Sequence, residues 1–270
     1  MGLLPPILIL GVMGAVFGIG LAVASKAFEV GADPRIAQVR EALPGVNCAA
    51  CGYMGCDGYA AAVAAGEAPP NLCPVGGRAI AELIGGIMGV VAGPMEKKVA
   101  RVHCSGRLEA RQRKYAYDGM EACSAASTLQ GGPSACGYGC MGFGDCAKAC
   151  AFGAIFVADG VAGVIAARCT ACGMCVRSCP KKLISLVPAG ASYSVLCKSN
   201  DRGAVAQKNC TAACIGCMRC RKACQFGAIT VAGNLATIDH GKCSRCGECL
   251  RVCPQHCIAR FECALAQAGA

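Results

Sequence analysis

Cysteine is the residue whose spacing carries chemistry in this chain: 26 of the 270 residues are Cys, and most stand three or four positions from the next. The clearest run is Cys214-x2-Cys217-x2-Cys220-x3-Cys224, followed by Cys243-x2-Cys246-x2-Cys249-x3-Cys253-Pro254. Three thiolates on one short loop, closed by a fourth from a distance, suit a cuboidal iron–sulfur cluster. Zinc prefers paired C-x2-C knuckles and would make the chain a colourless interaction scaffold, the competing reading. Disulfides belong to short secreted domains, and this regular ligand spacing argues against them.

In two-cluster bacterial ferredoxins the fourth Cys of each run ligates the other cluster. Similarity to that pattern implies Cys214, Cys217, Cys220 and Cys253 for one 4Fe-4S cluster, and Cys243, Cys246, Cys249 and Cys224 for its neighbour. The nine cysteines from Cys123 to Cys179 all find a counterpart between Cys197 and Cys253 at an offset of 74 residues, which indicates duplication. The connectors Cys150-Ala151-Phe152-Gly153-Ala154-Ile155 and Cys224-Gln225-Phe226-Gly227-Ala228-Ile229 repeat too. Each leads into an alternating segment, and Asp159-Gly160 and Gly233-Asn234 predict the turns of two β-hairpins. In the first copy Cys169, Cys172 and Cys175 are regular and take Cys150 as fourth ligand. The other half has Phe143 where the second copy has Cys217. Cys136 is therefore expected to join Cys140, Cys146 and Cys179.

Nearer the N-terminus, Cys48-x2-Cys51-x4-Cys56-x16-Cys73 predicts one further 4Fe-4S cluster, with an Ala-rich helix over 58–66 carrying Cys56 away from Cys73. Five clusters use 20 of the cysteines. Two readings stand for Cys104, Cys123, Cys197 and Cys210: a sixth cluster, or buried structural thiols. Cys257 and Cys263 read as incidental. No residue is expected to act as catalytic acid, base or nucleophile; His103, His240 and His256 read as ordinary. Gly85-Gly86-Ile87-Met88-Gly89 lacks a preceding strand and is no dinucleotide fingerprint.

The elements that must position these thiols have little else to fold around. Trp is absent, and Phe and Tyr number 7 and 6. Gly2 to Ser25 are 24 residues without a charge, ended by Lys26. A helix of about 36 Å exceeds a hydrocarbon core of roughly 30 Å. A cleaved signal peptide ending at Ala22-Val23-Ala24 is the alternative, but no Lys or Arg precedes the run. Lys26, Arg35 and Arg40 follow it, so the positive-inside rule predicts a single-pass anchor in the cell (inner) membrane, with the bulk of the chain cytoplasmic. Gly14 and Gly18 suggest packing against other membrane helices. The apolar stretch 80–93 is short and contains Glu82, as for a buried or interfacial helix.

The formal charge is +10 with Cys counted as neutral. Each loaded cluster contributes about −2, so five or six bring the total to roughly 0 to −2. The basic excess is then counter-charge, and nucleic acid is excluded as a partner, since no recognition motif accompanies it. Seven Lys and Arg lie between Glu96 and Lys114. They read as a solvated face or as a docking surface for an acidic redox protein.

The ordering of apolar helix, C-x2-C-x4-C-x16-C module and ferredoxin repeats resembles the B subunit of Rnf-type ion-translocating ferredoxin:NAD+ oxidoreductase complexes, in a long, multi-cluster form. Pro44-Gly45-Val46-Asn47-Cys48, Cys136-Gly137-Tyr138-Gly139-Cys140 and Cys197-Lys198-Ser199-Asn200-Asp201-Arg202-Gly203 carry the resemblance. It implies electrons entering from soluble ferredoxin, passing through 4Fe-4S clusters, and leaving to other membrane and flavin- or NAD-bearing subunits, with NAD+ reduction coupled to Na+ or H+ translocation. The expected fold is α+β: a transmembrane anchor over 1–26, a linker over 27–40, an Fe-S module over 41–95, a basic connecting segment over 96–134, and ferredoxin domains over 135–190 and 191–270. The competing functions are a polyferredoxin wire in a different membrane reductase, and an electron store without ion coupling.

Overall fold

The computed structural model describes residues 4–27 and 33–261; Cys263, part of the expected linker and the first three residues lie outside them. Helix α1 (Leu4–Ala27) contains Ile7–Lys26, 20 residues of mean hydropathy 2.6 with none of that window buried. An apolar helix with no protein against it is long enough to cross a membrane.

Three helices form the N-terminal module. Asp33 caps α2 (Pro34–Ala42), accepting from Arg35 N–H at 2.9 Å, and a proline occupies the first turn, where no N–H is needed. This helix begins inside the stretch expected as linker. Helix α3 (Gly55–Ala64) is Ala-rich, and α4 (Gly77–Met88) ends at Gly89, whose φ of 68° supplies a left-handed cap. Val39, Tyr59, Val63 and Ile84 are buried between the three helices, with Cys73 among them. Of the 80–93 stretch, Ala81, Ile84 and Gly85 face this core while Leu83 and Val91 are exposed.

The remainder is a mixture of two-stranded antiparallel sheets and helices of four to seven residues. Strand β1 (Lys98–Val102) comes from the expected connecting segment. The chain continues through α5 (Cys123–Thr128), α6 (Asp145–Lys148), β2 (Ile155–Ala158), β3 (Val161–Val164), α7 (Met174–Ser178) and β4 (Ile184–Pro188). Then follow β5 (Tyr193–Val195), α8 (Gly203–Asn209), α9 (Arg219–Ala223), β6 (Ile229–Ala232), β7 (Leu235–Ile238), α10 (Glu248–Arg251) and β8 (Ile258–Arg260). β1 pairs with β4, Lys98 opposite Pro188 and Val102 opposite Ile184; β5 pairs with β8. The hairpins β2–β3 and β6–β7 turn at Asp159-Gly160 and Gly233-Asn234, all four residues having positive φ as a two-residue turn requires.

β2, β3 and α7 begin 74 residues before β6, β7 and α10. The backbone specials keep that offset. Ala171 and Arg245 have φ of 58° and 66°, and Lys182 and His256 have φ of 51° and 47°. Gly142 is needed because a Cβ there would lie 2.7 Å from the Gly160 carbonyl oxygen; its counterpart Gly216 approaches Asn234 in the same way.

Candidate metal centres

In the N-terminal module Cys48 and Cys51 lie on the loop before α3, and Cys56 is the second residue of that helix. Asn47 fixes the loop, its Oδ1 accepting from Cys56 N–H at 2.8 Å. Cys73 is brought back by Tyr59, whose hydroxyl donates to Pro69 O (2.8 Å) and accepts from Leu72 N–H (3.2 Å). Burial pushes the Tyr59 hydroxyl up to about 12, with Cys73 and Cys51 contributing as neighbours. Burial also raises the Cys73 thiol, which has Cys48 and Cys56 beside it and the Gly76 N–H at 3.4 Å. The four thiols therefore gather near Tyr59 and Cys73.

Four cavities in the rest of the chain are lined by cysteines, four in three of them and five in the other. One holds Cys150, Cys169, Cys172 and Cys175, and another Cys214, Cys217, Cys220 and Cys253. Cys249 has Cys243 and Cys246 as close neighbours, and Cys224 and Cys243 pack against the same buried cluster. The remaining two cavities differ from expectation by one exchange. Cys140, Cys146 and Cys179 are joined by Cys123, while Cys136 stands with Cys104, Cys197 and Cys210.

The exchange has a local cause. Asp145, at the start of α6, accepts the N–H groups of Cys123 (2.8 Å) and Ser124 (2.9 Å), which ties α5 beside Cys146. Partial burial pushes the Asp145 carboxyl up, but these backbone donors outweigh it and hold the group below its usual range. The Cys136 segment is drawn the other way. Ala135 N–H donates to Gln112 O at 2.9 Å, and Ser134 bridges to Arg113. Cys123 and Cys197, equivalent at the 74-residue offset, part company here: Asp145 pins the first, and the residue at its own offset is Arg219.

The donor set fits iron–sulfur clusters. Backbone N–H groups point at sulfur in several cavities: Ala100 to Cys169 (3.3 Å), Ala154 to Cys150 (3.3 Å), Leu183 to Cys179 (3.4 Å), Ser199 to Cys197 (3.4 Å) and Cys140 to Cys104 (3.5 Å). A thiol accepts weakly, whereas a metal-bound thiolate accepts well. Burial pushes the thiols of Cys104, Cys175 and Cys220 up to about 11 and that of Cys146 to about 12, a cost that a bound cation would offset. Arg101 is 5% exposed and its Nε has no partner. Burial lowers this guanidinium to about 10, against the pull of Cys169; Phe261 covers it, its ring centroid 3.4 Å from Cζ. A buried cation needs a counter-charge, and an anionic cluster on Cys169 supplies one. Among the described residues no three Cys, His, Asp or Glu side chains close up as a single metal ion requires; the thiols stand around voids instead.

Successive cysteine groups are linked by contacts between their segments. Arg177, on α7 with Cys175, donates to Cys48 O in the N-terminal module. Cys175 neighbours Cys146, and Cys140 donates to Cys104. Cys197 packs against the buried cluster that holds Cys214, and α9 and α10 lie side by side. Sequence reasoning passed over Cys257, which lines the cavity of Cys214 and Cys253. Its signal was its place four residues after Cys253, where the first copy has the buried Leu183.

Known proteins are similar to this chain along most of its length. A family model for an Fe-S cluster matches residues 43–75, and one for a 4Fe-4S dicluster domain matches residues 213–258. The B subunit of the Na+-translocating ferredoxin:NAD+ oxidoreductase complex of Acetobacterium woodii is 47% identical over 95% of this chain and 78% of its own length. The B subunit of the ion-translocating oxidoreductase complex of Methanosarcina acetivorans is 40% identical over 95% of this chain and 97% of its own. The B subunit of the proton-translocating ferredoxin:NAD+ oxidoreductase complex of Clostridium ljungdahlii is 40% identical over 93% and 90%.

Proposed function

Because the chain belongs to the B-subunit family of ion-translocating ferredoxin:NAD+ oxidoreductase complexes, we propose that it is the complex's electron wire, holding six 4Fe-4S clusters. Cys48, Cys51, Cys56 and Cys73 hold the first; Cys150, Cys169, Cys172 and Cys175 the second; Cys123, Cys140, Cys146 and Cys179 the third. Cys104, Cys136, Cys197 and Cys210 hold the fourth; Cys214, Cys217, Cys220 and Cys253 the fifth; Cys224, Cys243, Cys246 and Cys249 the sixth. Bound there, each cluster supplies a one-electron carrier. The chain's own residues do the rest: thiolates fix the positions, amide N–H groups and Arg101 stabilise negative charge, and buried apolar residues exclude water.

The observation that carries this reading is that four-cysteine groups follow one another in contact. The set around Cys104 stands where the two repeated halves meet, which makes it the link between two ferredoxin-like domains, over 98–188 and 193–260. α1 associates the chain with the membrane, and Lys26, Arg35 and Arg40 after it favour clusters on the cytoplasmic side. A small acidic ferredoxin is the donor, and flavin- or NAD-bearing subunits receive the electrons. The relatives' names include both Na+ and proton translocation; no residue of this chain is assigned to the ion.

The test is iron content and electron paramagnetic resonance of the complex in membranes. About 24 iron atoms per chain are expected for six clusters. Cys136→Ala and Cys197→Ala should remove the same signal, and Cys123→Ala and Cys179→Ala a different shared one. Ferredoxin-driven NAD+ reduction should fail in all four. Full iron with unchanged activity in Cys136→Ala would overturn the assignment.

A further inference from the structure

None of the six ligand sets uses Cys257, yet its side chain is 2% exposed and lines the cavity of Cys214, Cys217, Cys220 and Cys253. Its Sγ lies 3.7 Å from that of Cys253. The residue is fixed in place: its carbonyl accepts Leu196 N–H at 2.7 Å, and Ile258 beyond it opens β8. A ligand sulfur is a thiolate with no proton to donate. The proton between these sulfurs therefore sits on Cys257. The chain contains its own comparison. At the equivalent position of the first half stands Leu183, also 2% exposed, lining the cavity of Cys123, Cys140, Cys146 and Cys179. Only its backbone N–H reaches sulfur there, at 3.4 Å from Cys179 Sγ.

We propose that Cys257 is a positioning residue whose S–H donates to the ligand sulfur of Cys253 and raises the reduction potential of the centre it holds. This rests on the ligand sets given above. A hydrogen bond to a ligand sulfur draws electron density from it and favours the state carrying one more electron. Loss of the donor therefore makes the centre harder to reduce, with its sulfur ligands untouched.

The experiment is a redox titration of the intact complex followed by electron paramagnetic resonance, with iron counted in parallel. Cys257→Ala and Cys257→Leu should keep full iron and every signal. One midpoint should move negative by about tenfold in the one-electron equilibrium constant, about 59 mV. Cys257→Ser, which keeps a donor, should lie nearer the parent. The reciprocal Leu183→Cys should move the midpoint of the Cys179 centre positive, and it decides the matter if the alanine variant fails to fold. Unmoved midpoints in a fully loaded Cys257→Ala overturn the proposal. So does loss of about four iron atoms with the signal that Cys253→Ala abolishes, since Cys257 would then be a ligand. Failure of the ligand sets themselves shows separately, as full iron in Cys253→Ala.

Discussion

Asp145 decides which thiol completes the cavity behind it, because one carboxylate satisfies two N–H groups of a six-residue helix that has no other cap. Asp145→Ala should cost about 1–2 kcal/mol, as loss of a capping side chain does. The cost should fall on one centre: faster loss of about four iron atoms to a chelator, with the signal shared by Cys123→Ala and Cys179→Ala fading first. Asp145→Asn keeps one acceptor and should lie between. The grouping of the regular cysteines was legible because their close spacing along the chain already brings three thiols to one loop. Cys123 and Cys136 were not, since the first is held by a hydrogen bond to Asp145 and the second by pairing of its neighbours Ser134 and Ala135, contacts that no spacing rule names. Cys257 was passed over for a related reason: a thiol outside the ligand runs has a role only once its neighbours in space are known.

The helices that carry the cysteines are too short to persist alone, and several begin at residues with positive φ such as Gly144, Met218 and Gly247. They hold their shape through what the thiols converge on. The hairpins were readable because Asp159-Gly160 and Gly233-Asn234 are local signals. β1 was not, because Lys98–Val102 looks like part of a basic stretch until its partner, Ile184–Pro188, is in place. In the N-terminal module, α3 and the loop before α4 are joined by the Tyr59 hydroxyl. Tyr59→Phe leaves the Leu72 N–H and Pro69 carbonyl unpaired, at about 1–2 kcal/mol. The signal of the Cys48, Cys51, Cys56 and Cys73 centre should disappear first on warming, and the other signals should persist.

Across the whole molecule the apolar helix and the cysteine-rich body divide the work. Removing residues 1–26 should release the chain into the soluble fraction with about 24 iron atoms still bound. Ferredoxin-driven NAD+ reduction should cease, since the wire no longer meets its membrane partners. Retention of the shortened chain on washed membranes would place the attachment elsewhere. The cysteines have a further consequence. Five of the eleven residues in the largest C-terminal core cluster are Cys214, Cys220, Cys249, Cys253 and Cys257. Four of these five are proposed ligands, so this core is finished only when the clusters are loaded, and maturation and folding of the C-terminal half are one event. The chain's abundance in a growing cell is then governed by iron and sulfide supply: copies made during scarcity stay open to proteases, and the membrane accumulates only wires that already conduct.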